Sequence, residues 1–548
     1  MTRRQLPLPS SLAHRLARVF RQETESATAT AVPAPEAPLL APLITASEMF
    51  PELERLALSA ERELLMSFRI FDARTALRSE DALALDLVTW ADLLDHVARK
   101  GVKVRLLLAD FDPVFTADLH RGTWASARIF AARLPPEAEI ITAIHECRPA
   151  PLYEWIFLPK VKSKLRSLKR APGHALTPMQ HRALGGDWFI APVTLHQKFA
   201  VADNARAIIG GIDVDERRWD GPDHNQRPRD TWHDVSMQVT GEIVPQIRSH
   251  FATCWERARH NGGTIFSPEA GSMEEDALDT IPDPWIERRI DEAAAGKEQA
   301  PSLLRTLSVG CPGPFRFSPE TAVSEHVSAH LAAFERAERY VYLETQFFRH
   351  EPLARALAGA AARSPELELV LVLPTEPERV IFEGHYSVDA RHGQALQLRC
   401  LRILRKAFGR RMTVVSPVQP RRAPEGEHLP VEGAGIVYVH SKVTLVDDHT
   451  GIVGSANLNG RSMLWDSEAS VMFHDAEAIR TLRERLARNW LGAHGEGKPV
   501  DRVTTWREAA LANAARQPDD RDGFAMPFPE KRNRHFARYL PIVPAAMF

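Results

Sequence analysis

Several things are scarce in this chain of 548 residues, and each scarcity removes a class of protein. No uninterrupted apolar run approaches the ~20 residues that a membrane-spanning helix needs. The N-terminus, Met1-Thr-Arg-Arg-Gln-Leu-Pro-Leu-Pro, is basic but has no apolar core and no small-residue cleavage site, so no secretory signal is expected. Only four cysteines occur, Cys147, Cys254, Cys311 and Cys400, and none is spaced as a metal or disulfide pair. These features fit a cytoplasmic or peripheral-membrane location, and a protein exported without a signal peptide would look the same. The net charge of −2 gives no bulk attraction to nucleic acid, which is not an expected partner. Lysine is scarce too: 12 of the 69 basic residues. Four of those lie between Lys160 and Lys169, and two more are Lys198 and Lys442.

The length calls for more than one core. Residues 1–44, rich in Ala, Pro, Thr and Glu, are expected as a disordered leader. Residues 45–261 form a first half, with strands at Leu64–Phe71 and Val102–Leu108 and a helical stretch around Ala82–Ala98. Residues 306–492 repeat the plan, with a helix at Ala329–Glu338 and strands at Tyr340–Phe348 and Leu367–Leu373. An acidic, proline-containing stretch, 262–305, is expected as a linker, and 493–548 as an irregular tail. Strands alternating with helices predict an α/β fold of two halves, each a mixed β-sheet flanked by helices.

An internal repeat at a separation of 244 residues carries the chemistry. The first half reads His196-Gln-Lys198-Phe-Ala-Val-Ala-Asp203, then Gly210-Gly211-Ile-Asp213; the second reads His440-Ser-Lys442-Val-Thr-Leu-Val-Asp447, then Gly454-Ser455-Ala-Asn457. Arg217 and Arg461 match in the same register. Both motifs lie in alternating apolar runs and are expected as strands. There, residues two apart share a face, so His196 joins Lys198, His440 joins Lys442, and Gln197 and Ser441 face away. The glycines after each turn are expected where backbone approaches a ligand.

A phosphodiester needs such a set. Attack at phosphorus builds negative charge that ammonium groups and backbone donors neutralise, and lysine is a compact donor for that task. One imidazole can attack phosphorus and split the reaction into two easier steps. The other protonates the leaving alcohol and then deprotonates water. With no carboxylate cluster fit for Mg²⁺ or Ca²⁺, neither a metal nor an organic cofactor is expected.

The pattern resembles the phospholipase D superfamily. Tyr438-Val-His440-Ser-Lys442, Gly454-Ser-Ala-Asn457-Leu-Asn-Gly-Arg461-Ser462 and Asp466-Ser-Glu468 are similar to the second catalytic block of eukaryotic-type phospholipases D. Glu344-Thr-Gln346-Phe-Phe348 is similar to the strand ahead of that block, and Pro228-Arg229-Asp-Thr-Trp232-His233-Asp234-Val235 to the segment after the first. The matches span roughly Leu64 to Phe473. The resemblance implies a pseudo-two-fold fold with the active site between halves, His196 as nucleophile and His440 as acid/base. It also implies Glu468 as the partner of one imidazole and Asp234 as a partner in the first half. Gly211, Ser455 and Asn457 would border the phosphate pocket. With only about 60 residues ahead of the catalytic half, no Ca²⁺-dependent or phosphoinositide-binding lipid module is expected there.

Some residues admit two readings. Asp203 and Asp447, placed with the catalytic set by the motif, sit at strand-ending turns where carboxylates also serve the backbone. Asp213 and Asn457 lie beside glycines, where turn formation competes with phosphate contact. Glu344 and Gln346 are either ordinary strand ends or cleft residues, and Arg69 is a weaker substrate contact. His224, His233 and His385 read as loop histidines. From Lys160 to Arg170, six basic residues fall in eleven positions, with Val161, Leu165 and Leu168 as an apolar stripe. This is either a solvated charged helix or a surface that docks on anionic membrane. The expected reaction is cleavage of phospholipid head-group esters at a membrane surface, by hydrolysis or transphosphatidylation. The alternatives are a cardiolipin or phosphatidylserine synthase-type phosphatidyltransferase, and a nuclease of the same superfamily.

Overall fold

The computed structural model describes residues 39–541 apart from 146, 150, 268–269, 279–282, 296–299, 311–318, 384–387 and 428–429, together with 545–548. The expected leader up to residue 38, Cys311 and His385 lie outside them. The first half supplies strands β1 (Leu40–Ile44), β2 (Glu63–Phe68), β3 (Lys103–Ala109), β4 (Glu139–Ala143), β5 (Phe199–Ala202), β6 (Arg206–Gly210), β7 (Val235–Thr240) and β8 (Thr264–Ile265). They form one sheet in the order β1-β7-β6-β5-β2-β3-β4-β8. The second half supplies β9 (Ser302–Val309), β10 (Glu320–Ser324), β11 (Tyr340–Thr345), β12 (Glu368–Val372), β13 (Met412–Arg422), β14 (Ala434–Ile436), β15 (Lys442–Val446), β16 (Thr450–Gly454), β17 (Glu468–Phe473) and β18 (Ala525–Pro527). Its order is β10-β9-β17-β16-β15-β11-β12-β13-β14, with β18 on β13. The sheets repeat one plan. β2, β3 and β4 run parallel, as do β11, β12 and β13, and β5 and β15 join them antiparallel. Both sheets are therefore mixed and flanked by helices.

Each strand divides its apolar residues between two cores by alternation. Leu65, Leu107, Val370 and Val372 point into a core shared by the halves, which also takes Phe251 and Trp255 of helix Ile243–His260 and Leu482 and Trp490 of helix Ala476–Leu491. Leu64, Met66 and Leu106 point the other way, under helices Ala46–Leu58 and Trp90–Arg99. Leu369 and Leu371 do likewise under helix Glu351–Arg363. Apolar residues thus line both faces of the central strands, which explains their near-continuous hydrophobic runs. The stretch expected as one helix over Ala82–Ala98 is a short turn, Glu80–Leu83, followed by Trp90–Arg99. A Thr89–Asp92 capping box starts the latter.

Three boundaries differ from expectation. Leu40–Ile44 is no leader: it pairs with β7 from Leu40↔Val239 to Ile44↔Val235. The linker contains helix Asp283–Ala294, whose Ile286 and Ile290, one turn apart, are buried. It also runs into β9, which pairs with β17 and already belongs to the second half. The tail holds helix Val503–Ala514 and strand β18, and Trp506 is fully buried. Around Trp506 that helix buries mainly small residues, Ala509 and Ala510, so it lacks the large apolar stripe by which a buried helix is read.

The repeat aspartates also have a structural explanation. Asp203 and Asp447 both take positive φ, 54° and 49°, a conformation that Asp tolerates better than most side chains. Asp203 accepts the backbone N–H groups of Glu61 (2.8 Å), Arg62 (2.7 Å) and Glu63 (2.9 Å). Asp447 accepts those of Glu338 (2.9 Å), Arg339 (2.9 Å) and Tyr340 (2.8 Å). Each carboxylate ties the end of β5 or β15 to the start of β2 or β11. Seven residues of extended chain, on the order of 20 Å, separate each from its histidine. Their expected place in the catalytic set is therefore corrected: they anchor backbone. Asp203→Ala and Asp447→Ala should each cost about 2–3 kcal/mol by orphaning backbone donors. Turnover per folded molecule should change no more than a few-fold. Urea unfolding beside an activity assay checks this, and lost turnover with unchanged stability would return the aspartates to the site.

Candidate active site

Each motif histidine stands just ahead of its strand, in extended backbone whose pairing crosses to the opposite half. Leu195 bridges Ser467, and Val439 bridges His233. The His196 N–H donates to the Ser467 carbonyl at 2.8 Å, and the His440 N–H to the His233 carbonyl at 2.8 Å. The next residue along in each partner supplies a carboxylate to the ring. His196 Nδ1 lies 3.0 Å from Glu468 Oε2, and His440 Nδ1 lies 2.6 Å from Asp234 Oδ2. Orientation is thus exchanged between halves, and Asp234 serves the second-half histidine rather than its own. With Nδ1–H donating to the carboxylate, Nε2 is left for chemistry. Lys442 Nζ also lies 2.9 Å from His440 Nδ1, but one N–H cannot serve both contacts. The shorter contact, to Asp234, sets the tautomer.

The lysines keep the face predicted for them. Lys198 Nζ donates to the His196 carbonyl at 2.5 Å, and Lys442 Nζ to the His440 carbonyl. Gln197 and Ser441 face away as expected: Gln197 meets Ser67 at 3.0 Å and His250 at 2.8 Å, and Ser441 donates to Glu344 at 2.5 Å. The His196 side chain keeps 12% exposure against 5% for His440. Burial works against every charge in this set. It lowers both histidines well below their ordinary range, helped at His196 by Lys198, Arg69, Lys442 and Arg461, and at His440 by Lys442, Lys198 and Arg218. Burial also lowers Lys198, and brings Lys442 down to about 8 despite Asp234. It raises Asp234, and takes Glu468 up to about 8 against the pull of Lys198. Burial thus disfavours the charged form of each of these groups, and an anion beside Lys198 and Lys442 would favour their charged forms.

The glycines answer to packing. A Cβ at Gly210 or Gly454 would overlap the Cα of Ser236 or Ser470 on the neighbouring strand. A Cβ at Gly211 would fall on Asp234 Oδ1. Packing accounts for these glycines, and Gly211 makes room for the carboxylate that orients His440. At the matching position Ser455 is tolerated, and its hydroxyl donates to Glu468 Oε2 at 2.5 Å. Asn457 and Gln346 meet at 3.3 Å, and Gln346 reaches Tyr438 at 2.5 Å. Asp213 Oδ1 accepts the Ile70 N–H at 2.8 Å while its buried Oδ2 has no hydrogen-bond partner. Glu344 is a buried anchor, in contact with Tyr342 (2.6 Å), Ser441 and His233 Nε2 (2.8 Å). Burial raises its carboxyl, yet His233 and these hydrogen bonds bring it below the usual range.

His224 and His233 are fully buried rather than loop histidines, and their rings meet at 3.4 Å in a chain running from Asp220 to Glu344. Trp232 lies 4.7 Å from the His440 ring, and Arg218 lies 4.0 Å from Trp232. Arg218 had no signal in the sequence, because the repeat drew attention to its neighbour Arg217. Arg461 pairs with Asp466 at 2.8 Å. Among the described residues no group of three or more His, Cys, Asp or Glu side chains is arranged to hold a metal ion.

The family described as "Cardiolipin synthase, PLD-like domain" matches residues 331–490. Phospholipase D1 of Cricetulus griseus is 26% identical over 305 residues, 50% of this chain and 28% of its own length. Phospholipase D1 of Schizosaccharomyces pombe is 22% identical over 414 residues, 58% of this chain and 29% of its own. The chain thus spans less than a third of these curated relatives. The phosphatidylserine synthase of Haemophilus influenzae Rd KW20 covers 83% of this chain, and 88% of its own is covered, at 12% identity and a TM-score of 0.49. The sequence relatives and the matched domain agree with the motifs that recur in both halves, and the chain is similar to proteins of the phospholipase D superfamily.

Proposed function

We propose that this protein is a phospholipase D-type phosphodiesterase that cleaves the head-group ester of glycerophospholipids, giving phosphatidic acid and the free alcohol. The observation that carries the reading is the pair of histidines, each oriented through Nδ1 by a carboxylate of the other half and each two residues from a lysine.

A phosphodiester brings one negative charge to Lys198 and Lys442, whose charged forms burial disfavours. Lys198 and Lys442 hold the non-bridging oxygens, where charge accumulates in the transition state. Bound anion also restores the basicity that burial takes from the histidines, so that His440 is protonated when substrate is present. His196, the more exposed of the two, attacks phosphorus through Nε2. The P–O bond to the head group breaks, and its oxygen takes the Nε2 proton of His440. His440 then removes a proton from water, the hydroxide displaces Nε2 of His196, and both histidines return to their starting state. Glu468 and Asp234 keep each Nδ1 proton in place through both steps. Asn457, Gln346, Ser455 and Asp213 border this pocket, and Glu344 holds Ser441 behind it. The lipid substrate is favoured over nucleic acid by the net charge of −2 and by the phospholipase D names of the relatives. A phospholipid substrate in turn favours work at a membrane surface. Among the described residues no helix is long and apolar enough to cross one.

His196→Ala and His440→Ala should each remove nearly all turnover, on the order of 10⁴-fold or more, and the double variant should be little worse, because members of one catalytic unit are not additive. Either single variant keeping about half the activity would mean two independent sites. A primary alcohol added to the assay should divert product from phosphatidic acid to the phosphatidyl alcohol, since a covalent intermediate accepts nucleophiles other than water. Phosphatidic acid alone over a wide alcohol range would argue for direct attack by water. Cleavage of a dinucleotide but not of phosphatidylcholine would make the protein a nuclease.

A further inference from the structure

The basic segment around Lys160 falls on helix Pro151–Leu168, and its surroundings give it a direction. The stripe Val161, Leu165 and Leu168 faces the protein, with Val161 and Leu168 buried. The opposite face is open. Leu152 (41% exposed), Trp155 (70%) and Ile156 (50%) fall one turn apart at its start. The same face continues through Ser163, Arg166 and Arg170, with exposed Lys160 and Lys162 flanking it. One solvent-facing surface therefore carries large apolar side chains at one end and cations along the rest.

The helix stands at the catalytic edge of the first sheet. β2, β3 and β4 run parallel, and Ser67 near the end of β2 pairs with Phe199 at the start of β5. The carboxyl end of β4, from which the helix departs, thus lies at the edge where His196 enters. The chain returns there as well: Asp112 Oδ2, just past the end of β3, accepts the Ala191 N–H at 2.9 Å, five residues before His196. Lys160 Nζ lies 5.9 Å from the ring of Phe115 in the same loop.

Resting on the phospholipase reading, we propose that helix Pro151–Leu168 docks the protein on an anionic phospholipid bilayer. Leu152, Trp155 and Ile156 enter the head-group layer, the lysines and arginines face anionic lipid, and the catalytic edge is held at the surface where substrate lies. Charge complementarity fits a bilayer, and the aliphatic side chains favour one over nucleic acid: Leu152 and Ile156 are costly in water, gain by burial in the interface and offer no ring on which a base stacks.

The test uses the full chain with vesicles of phosphatidylcholine alone and of phosphatidylcholine with phosphatidylglycerol, at low and high salt, beside turnover of a soluble short-chain phosphodiester. The parent should bind the mixed vesicles more than roughly tenfold tighter than the neutral ones, with the difference shrinking in high salt. Replacing Lys160, Lys162, Lys164 and Lys169 by Gln should erase that difference. Trp155→Ala with Ile156→Ser should weaken binding several-fold at either salt. Neither variant should alter turnover of the soluble substrate. Equal vesicle binding by parent and the Gln variant would overturn the proposal, as would preferential binding of single-stranded DNA over the mixed vesicles. Loss of soluble-substrate turnover in the Gln variant would also overturn it, by placing the lysines in the cleft. Vesicle binding is read without turnover, so a parent that binds vesicles but cleaves no phospholipid would refute the phospholipase reading instead.

Discussion

Everything in the site depends on two short backbone pairings that cross the boundary between halves. Where Leu195 meets Ser467 and Val439 meets His233, each half hands the other a histidine and receives a carboxylate. The hydrogen bonds of His196 to Ser467 and of His440 to His233 fix the backbone, and Glu468 and Asp234, one residue further, fix the rings. Neither His196 nor His440 takes its carboxylate partner from its own half. The shared core of Leu65, Leu107, Val370, Trp255 and Trp490 holds the halves in the register these bonds require.

The same arrangement explains the charge state. Two lysines and two histidines are crowded with Arg69, Arg218 and Arg461 in a buried site, so burial lowers the lysines and histidines and raises Asp234 and Glu468. Lys442 falls to about 8 and Glu468 rises to about 8. On the proposed function, a phosphodiester would relieve this by supplying negative charge, and binding and activation would then be one event. The glycines belong to the same economy of space, with Gly211 open because Asp234 needs the room and Gly454 open because Ser470 does.

Much of this was legible in the sequence, for a definite reason. A motif repeated in register carries its own evidence, and alternation along a strand put His196 with Lys198 and turned Gln197 away. The repeat did not reveal which half each carboxylate serves, because spacing along the chain cannot show pairing across a two-fold. Asp203 and Asp447 were misleading since they share the motif yet act on backbone at the far end of the strand. His233 looks like a loop residue in the sequence because nothing local shows that Glu344, 111 positions away, lies 2.8 Å from its ring. The helix at Val503–Ala514 is hard to see in the sequence because alanine packs closely without marking a hydrophobic stripe.

If the two halves build one site, only one histidine per chain takes the phosphoryl group. The direct measurement is rapid quenching of the enzyme with a labelled soluble phosphodiester, under conditions that preserve phosphohistidine, followed by mass spectrometry of the peptides. The account predicts at most one label per chain, on His196, and none in His196→Ala protein. Two labels per chain, or a label on His440 that survives loss of His196, would contradict it.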